Sequence, residues 1–362
     1  MSRFSLKPLA WTMMGTDITG CKSVAEAIEM TNMDFTVEKR PLVTYDNEQY
    51  AEFLRQKAEF DELKRLNPGN VAAFKPTVVP TIIVPDHFST VRTDHQKHLG
   101  VVGRDYKVIQ NGSAFAFIDE IIKAIPGMTL ETAGALGYGE RVYITARMPE
   151  YMRVGKDDLI KKYLFFTTSH DASGSIISAF TPLRITCINL LNAAIKNCSN
   201  AVRIRHTEKA ENRLKKAIKV ITTANKRSEE LEEVFNKWSR IRITDPQLKE
   251  LIRLAMAPNK ESVDKIESGD YDQLSTMFIN TCKEAFEYAM EAESQQLETC
   301  KGTLFGAYNA VSGYYQNVST YKTGEAKMTS LLFGGTGQQR VQKAFTLCET
   351  FARTGKLKIS YN

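Results

Sequence analysis

The stretch AVRIRHTEKAENRLKKAIKVITTANKRSEELEEVFNKW (201–238) changes its hydrophobic period partway along. At its start Val202 and Ile204 alternate with Arg203 and Arg205, the two-residue period of a strand. From Thr207 onward apolar residues recur at 210, 214, 217, 218 and 221, the spacing of one helix face. Glu208 and Glu211 fall in the first turn, where the helix dipole favours acids. The switch predicts an α+β fold divided near residue 206. An antiparallel, β-rich N-terminal domain with packed helices spans 1–206. A mainly helical region spans 207–362 and begins with a basic amphipathic helix.

The segments upstream fit that division. SVAEAIEM reads as a helix with Ser23 as N-cap and Glu26 closing a capping box. FTVEKRPLVTY reads as a strand interrupted by proline. Residues 46–66, ended by Asn-Pro-Gly, read as a charged helical insertion. Strands are expected around TIIVP and STVRTD, then a turn through LGVVGRDYKVIQN into the apolar helix AFAFIDEIIKAI. MTLETAGAL and RVYITARMP, joined by GYGE, form a hairpin signal. KKYLFFTTS and GSIISAF form a second hairpin with HDAS as its turn. TPLRITCINLLNAAIKN is expected to be helical.

Composition excludes several classes. With 25% charged and 43% hydrophobic residues over 362 positions, the chain reads as soluble and globular, not disordered. No run of about 18 apolar residues argues for a membrane span, and the apolar run at the N-terminus is too short for a secretory signal. The six cysteines (21, 187, 198, 282, 300, 348) include no CxxC pair, so neither a disulfide framework nor a zinc knuckle is expected. Those readings place the chain in a reducing cytoplasm, without a cofactor.

Five histidines offer candidate chemistry: His87, His95, His98, His170 and His206. His95 and His98, beside Asp94, could ligate a metal, yet they sit in a polar connection where histidine is common without one. His170 and Asp171 form a His-Asp pair at the hairpin turn and are candidates for a metal-dependent hydrolase or nuclease. Asp in such a turn ordinarily accepts backbone N–H bonds instead. GGTGQQR (334–340) lacks the lysine of a phosphate-binding loop, and no GxSxG elbow occurs. No catalytic residue is assigned.

The charge pattern is sharper. Between 202 and 227 stand nine Lys/Arg (203, 205, 209, 213, 215, 216, 219, 226, 227) against Glu208 and Glu211, while the whole chain carries only +6. On a strand, Arg203 and Arg205 would project about 7 Å apart on one face, close to the spacing of adjacent phosphates. Lys209, Arg213 and Lys216 would continue as a helical stripe, with Lys215, Lys219 and Lys226 close by. Such a surface suits a phosphate backbone. The competing interpretation is a solvated helix whose cations pair with the acids at 229–233. Tyr106 and Tyr138, at turns, could stack on the bases of a single strand.

The order of several blocks resembles the phage/plasmid-like protein family, a domain of unknown function (family number 932). They are VRTDHQKHLGVVGRDYKVIQN, ETAGALGYGERVYITARMP, SHDASGS, TPLRITCINLLNAAI, VRIRHT before a basic helix, and GAYNAVSGYYQN. The resemblance covers most of the chain. It departs at Ala172, where the family usually has glycine after His-Asp, at CINLL in place of CxNTL, in the 46–66 insertion and at His95 and His98. What it implies is a mobile-element protein acting in bacterial cytoplasm, with no established activity.

Together these readings predict a nucleic-acid-binding protein of a phage or plasmid, with DNA, and single strands in particular, as the expected ligand. Such a protein would serve replication or recombination, with homo-oligomers allowed and no membrane partner. Arg184, Arg203, Arg205, Lys209, Arg213 and Lys216 would contact phosphates, and His206 would add a donor. The alternatives are the metal-dependent hydrolase and a protein that binds a host factor through its helical region.

Overall fold

The computed structural model describes residues 4–66, 79, 81–174, 176–187, 189–190, 201–204 and 210–357, with backbone alone for 187, 189–190, 201, 203–204 and 210–214. Its ten strands among these residues are β1 (Thr16–Asp17), β2 (Val37–Tyr45), β3 (Thr81–Arg92), β4 (Lys97–Gly103), β5 (Thr129–Leu136), β6 (Arg141–Val154), β7 (Asp158–Ser169), β8 (Ile176–Arg184), β9 (Asn189–Leu190) and β10 (Ala201–Ile204). The α-helices run α1 (Ala10–Met14), α2 (Val24–Met30), α3 (Asn47–Leu66), α4 (Asn111–Phe115), α5 (Phe117–Ala124) and α6 (Ala210–Trp238). Beyond them come α7 (Asp245–Met256), α8 (Lys260–Ser268), α9 (Thr276–Glu291), α10 (Leu304–Gly313), α11 (Gly324–Leu332) and α12 (Thr336–Thr354). The fold is α+β, with antiparallel sheets in the N-terminal half and helices mainly in the C-terminal half.

Contacts divide the chain into two units, and the division does not follow residue 206. One unit holds 1–34, 110–169 and 174–362; the other holds 35–109 and 170–173. In the first, the strand order is β1-β5-β6-β7-β8-β10, with β9 also on β8 and every pairing antiparallel. Central β7 is buried on both faces from Lys162 to Ser169. That is why YLFF reads as an unbroken apolar run and not an alternating one. On one face Phe165 stacks on Tyr143 and meets Trp11 and Phe333. On the other, Phe166 meets Phe117 of α5 edge to face. Each such ring, removed from water, contributes about 1.5–3 kcal/mol before chain entropy is charged against it.

The helical part is built on a second aromatic cluster. Phe235 and Trp238 of α6 pack on Phe305 and Tyr308 of α10, and Phe345 of α12 completes the group. All ten residues of α10 are buried, so LFGAYNAVSG forms the axis around which α6, α7, α9 and α12 pack. Small residues allow this: a Cβ on Gly306 would collide with the Cys300 carbonyl, and one on Gly313 with the Tyr288 ring.

The second unit is a three-stranded antiparallel sheet, β2-β3-β4, with α3 between β2 and β3. It corrects two expectations. TIIVP and STVRTD belong to one strand, β3, in which residues 84–87 bulge opposite Leu42 and Asp86 takes a positive φ of 61°. HLGVVG is not a turn but strand β4. Its glycines concealed it, and Gly100 has a specific reason to be there: a Cβ would lie 2.5 Å from the Asp171 Cα. Helix α3 forms as expected and has no buried residue.

Two further expectations changed locally. Ser23 caps α2 by accepting from the Glu26 N–H, yet the Glu26 carboxylate reaches back to Lys22 N–H and not to Ser23. TPLR, expected to be helical, extends β8, with Thr181–Arg184 paired to Ile160–Tyr163. A short apolar run cannot distinguish strand from helix by period alone. Pro182 is tolerated because it falls between the residues of β8 that pair with β10 (176–179) and with β9 (183–184). Residues 188 and 191–197 of that stretch lie outside the described residues.

Candidate nucleic-acid interface

The hairpin tip belongs to the small-sheet unit, and its chemistry is that of a docked turn. His170 is 1% exposed, its ring lies 6.0 Å from Phe35, and its carbonyl accepts the Thr90 hydroxyl at 2.7 Å. Burial pulls its pKa down to about 4, against a smaller opposing pull from the Asp171 charge, so the ring is neutral at physiological pH. Asp171 accepts the Ser173 N–H at 2.9 Å, closing a turn in which Ala172 takes φ 63°. The tip therefore encloses His170 where the sequence had it displayed. Burial together with the Asp171 charge raises the Tyr106 phenol pKa, so Tyr106 stays a neutral, half-buried ring.

The remaining described histidines have local partners. His98 Nδ1 is 2.6 Å from the Ser89 hydroxyl, His87 Nδ1 is 2.8 Å from the Pro85 carbonyl, and His95 lies 3.7 Å from Asp94. Asp94 is claimed mainly by Arg92, whose hydrogen bonds lower its pKa to about 2. Among the described residues no group of three or more His, Cys, Asp or Glu side chains is placed to hold a metal ion.

Arg184 is a correction. It was expected to face phosphate, but its side chain is 0% exposed and forms a bidentate pair with Asp158, Nε to Oδ1 at 2.8 Å and Nη2 to Oδ2 at 2.6 Å. The Ser294 carbonyl accepts a further bond from Nη2 at 3.1 Å, and Thr299 donates to Asp158 at 2.8 Å. The Phe305 ring lies 5.5 Å from the guanidinium. Asp158 offsets the arginine's charge internally and the Ser294 carbonyl takes a further N–H, so Arg184 joins sheet to helices and leaves the candidate interface. Nothing near Arg184 in sequence announces Asp158, which comes from the start of the neighbouring strand.

Helix α6 carries what remains of the basic signal. Ala217, Val220, Ala224, Leu231 and Phe235 are its buried row. At 100° per residue Lys215, Lys219 and Lys226 fall on the opposite side, and all three are exposed. Their neighbours divide them. Lys226 and Arg227 share Glu230, Lys226 at 3.9 Å and Arg227 more closely. Lys215 and Lys219 form no ion pair with any described residue. Lys216, from the expected stripe, is only partly exposed, and burial lowers its pKa.

Upstream, β10 pairs with β8 through Arg203 opposite Ile177 and is the last strand of the sheet on its side. Arg203 and Arg213 lie in β10 and α6, where the backbone alone is described; Arg205, His206 and Lys209 fall outside the described residues.

Comparison with known proteins gives one match: residues 98–332 fit the model of a family described as Domain of unknown function (DUF932). No curated protein and no solved structure matches the chain. No described helix is long and apolar enough to cross a membrane.

Proposed function

We propose, from the premise that this chain belongs to the DUF932 family, that it binds nucleic acid through β10 and the N-terminal half of α6. The observation that carries the reading is the exposed pair Lys215 and Lys219, one turn apart, with no carboxylate partner among the described residues. A solvated structural helix offsets its own charges, as Lys226, Arg227 and Glu230 do further along. Exposed lysines with no described carboxylate partner, on a helix that contacts the strand bearing Arg203, suit a phosphate backbone instead. The preferred ligand is single-stranded DNA, handled during replication or recombination of a mobile element. Support for that last step is the resemblance to phage and plasmid proteins alone.

The test is fluorescence anisotropy with labelled single- and double-stranded oligonucleotides over a salt series. Affinity is expected to fall steeply with salt, and Lys215→Ala/Lys219→Ala is expected to weaken binding to every sequence alike. No binding at low salt sinks the proposal.

A further inference from the structure

A cavity of about 590 Å³ opens among the C-terminal helices, away from α6, and its size suits a small organic ligand. Its walls follow from two helix periods. Helix α7 starts on a capping box, in which the Thr244 hydroxyl accepts the Gln247 N–H while the Gln247 side chain accepts the Thr244 N–H. That start sets the phase placing Lys249 and Arg253, four residues apart, along one side of the cavity. Helix α9, capped by Ser275, brings Phe278, Cys282 and Phe286 to the other side at the same spacing. A single 3-10 turn supplies Tyr271.

The cations in this wall are held in an unusual way. Arg253 lies over the Tyr271 ring, 4.3 Å from its centroid, and the Lys249 ammonium lies 4.6 Å from the Phe286 centroid. Neither forms an ion pair with a described carboxylate. A ring face orients a cation without cancelling its charge, so both keep that charge for a ligand. Lys283 differs, lying 3.9 Å from Glu287. The floor is apolar: Leu274, Phe278 and Cys282 are buried, and burial pushes the Cys282 thiol up to about 12. A thiol held protonated is no nucleophile, so the ligand is held without a covalent bond.

We propose that this cavity binds a nucleotide, the base lying against Tyr271 and Phe286 and the phosphate meeting Arg253 and Lys249. Flat rings and a planar guanidinium suit an aromatic base, which a saturated acyl chain would not use. With Lys283 offset by Glu287, the lining keeps Lys249 and Arg253 against the single carboxylate of Asp272, and that net positive wall suits an anion beside the flat body. The site is separate from the α6 interface and does not depend on it.

Isothermal titration of the full chain with adenosine, cytidine, guanosine and uridine 5′-monophosphates tests the proposal, with the matching nucleosides and inorganic phosphate as partial ligands. The expected result is saturable binding of at least one monophosphate, tighter than its nucleoside and tighter than phosphate. Lys249→Met/Arg253→Met, which keeps the apolar stems, is expected to weaken that binding about tenfold or more. Should the double variant fail to melt cooperatively, Lys249→Met alone, at an exposed position, must still weaken it. No saturable binding at millimolar monophosphate, equal binding of nucleoside or phosphate alone, or unchanged affinity in the folded variants each overturns the proposal.

An oligonucleotide arm separates the two sites. Monophosphate binding without oligonucleotide binding supports the cavity and refutes the α6 interface. Oligonucleotide binding without monophosphate binding does the reverse.

Discussion

Arg184 at the end of β8 and Lys215, the first residue of α6 whose side chain is described, are two cations in opposite surroundings. Arg184 is sealed among Asp158, Thr299, Ser294 and Phe305, with both members of its ion pair with Asp158 out of water. Lys215 stands in solvent, on the side of α6 away from the row of Ala217, Val220 and Ala224. The difference teaches that a cation's role follows from where its counter-charge sits. A counter-charge enclosed with the cation makes it part of the scaffold, whereas an exposed cation with no carboxylate partner among the described residues has no such tie. His170 is a third solution: it is buried like Arg184, but it can shed its proton, which a guanidinium cannot.

The largest effect expected from this comparison is at Arg184. Arg184→Ala leaves the Asp158 carboxylate buried without its counter-charge and is predicted to cost about 3–5 kcal/mol of stability, read by chemical denaturation. Arg184→Met combined with Asp158→Leu removes both charges and is expected to recover much of that loss. A double variant no better than Arg184→Ala would break the claim that the pair acts as a neutral internal unit.

The next effect sharpens the contrast with His170. Its pKa is lowered from 6.5 to about 4 in the folded state, so protons bind the unfolded chain more readily. Its contribution is fully present above pH 6.5 and is lost as pH falls toward about 4, to a total of about 3 kcal/mol. His170→Gln should therefore show a shallower loss of stability than the parent across that window. Equal pH slopes in the two proteins would contradict the buried, neutral ring.

A smaller effect belongs to the backbone beneath the tip. Gly100→Ala forces a Cβ to within 2.5 Å of the Asp171 Cα, and is predicted to cost about 1–3 kcal/mol as β4 and the tip move apart. Thermal melting reads this directly, and an unchanged midpoint would show that the tip is not seated on β4. The smallest stability effect is at the other pole of the comparison. Lys215→Ala and Lys219→Ala should each leave stability within about 0.5 kcal/mol, as exposed positions do.

Much of this architecture was legible because its signals are local. GYGE and HDAS sit between runs of strand formers, and the apolar row of α6 repeats at helical spacing over 29 residues. Local signals fail where the deciding partner is distant in sequence. Arg184 looks like any strand arginine until Asp158, 26 residues earlier, is placed beside it. Strand β4 was hidden by its glycines, one of which is explained only by contact with Asp171. The basic segment was visible as a charge excess and its pairing with the acids at 229–233 was one expectation; Glu230 realises it for Lys226 and Arg227, while Lys215 and Lys219 pair with no described residue. Lys249 and Arg253 gave no sequence signal at all, because four-residue spacing of cations is common on exposed helices.

The most direct test of the account is the salt dependence of oligonucleotide binding in the parent and in Lys215→Ala/Lys219→Ala. The account predicts a linear fall of log affinity with log salt, and a slope lower by about 1.4–1.8 in the variant, two phosphate contacts being lost from a folded protein. Equal slopes and equal affinities in the two proteins would contradict it.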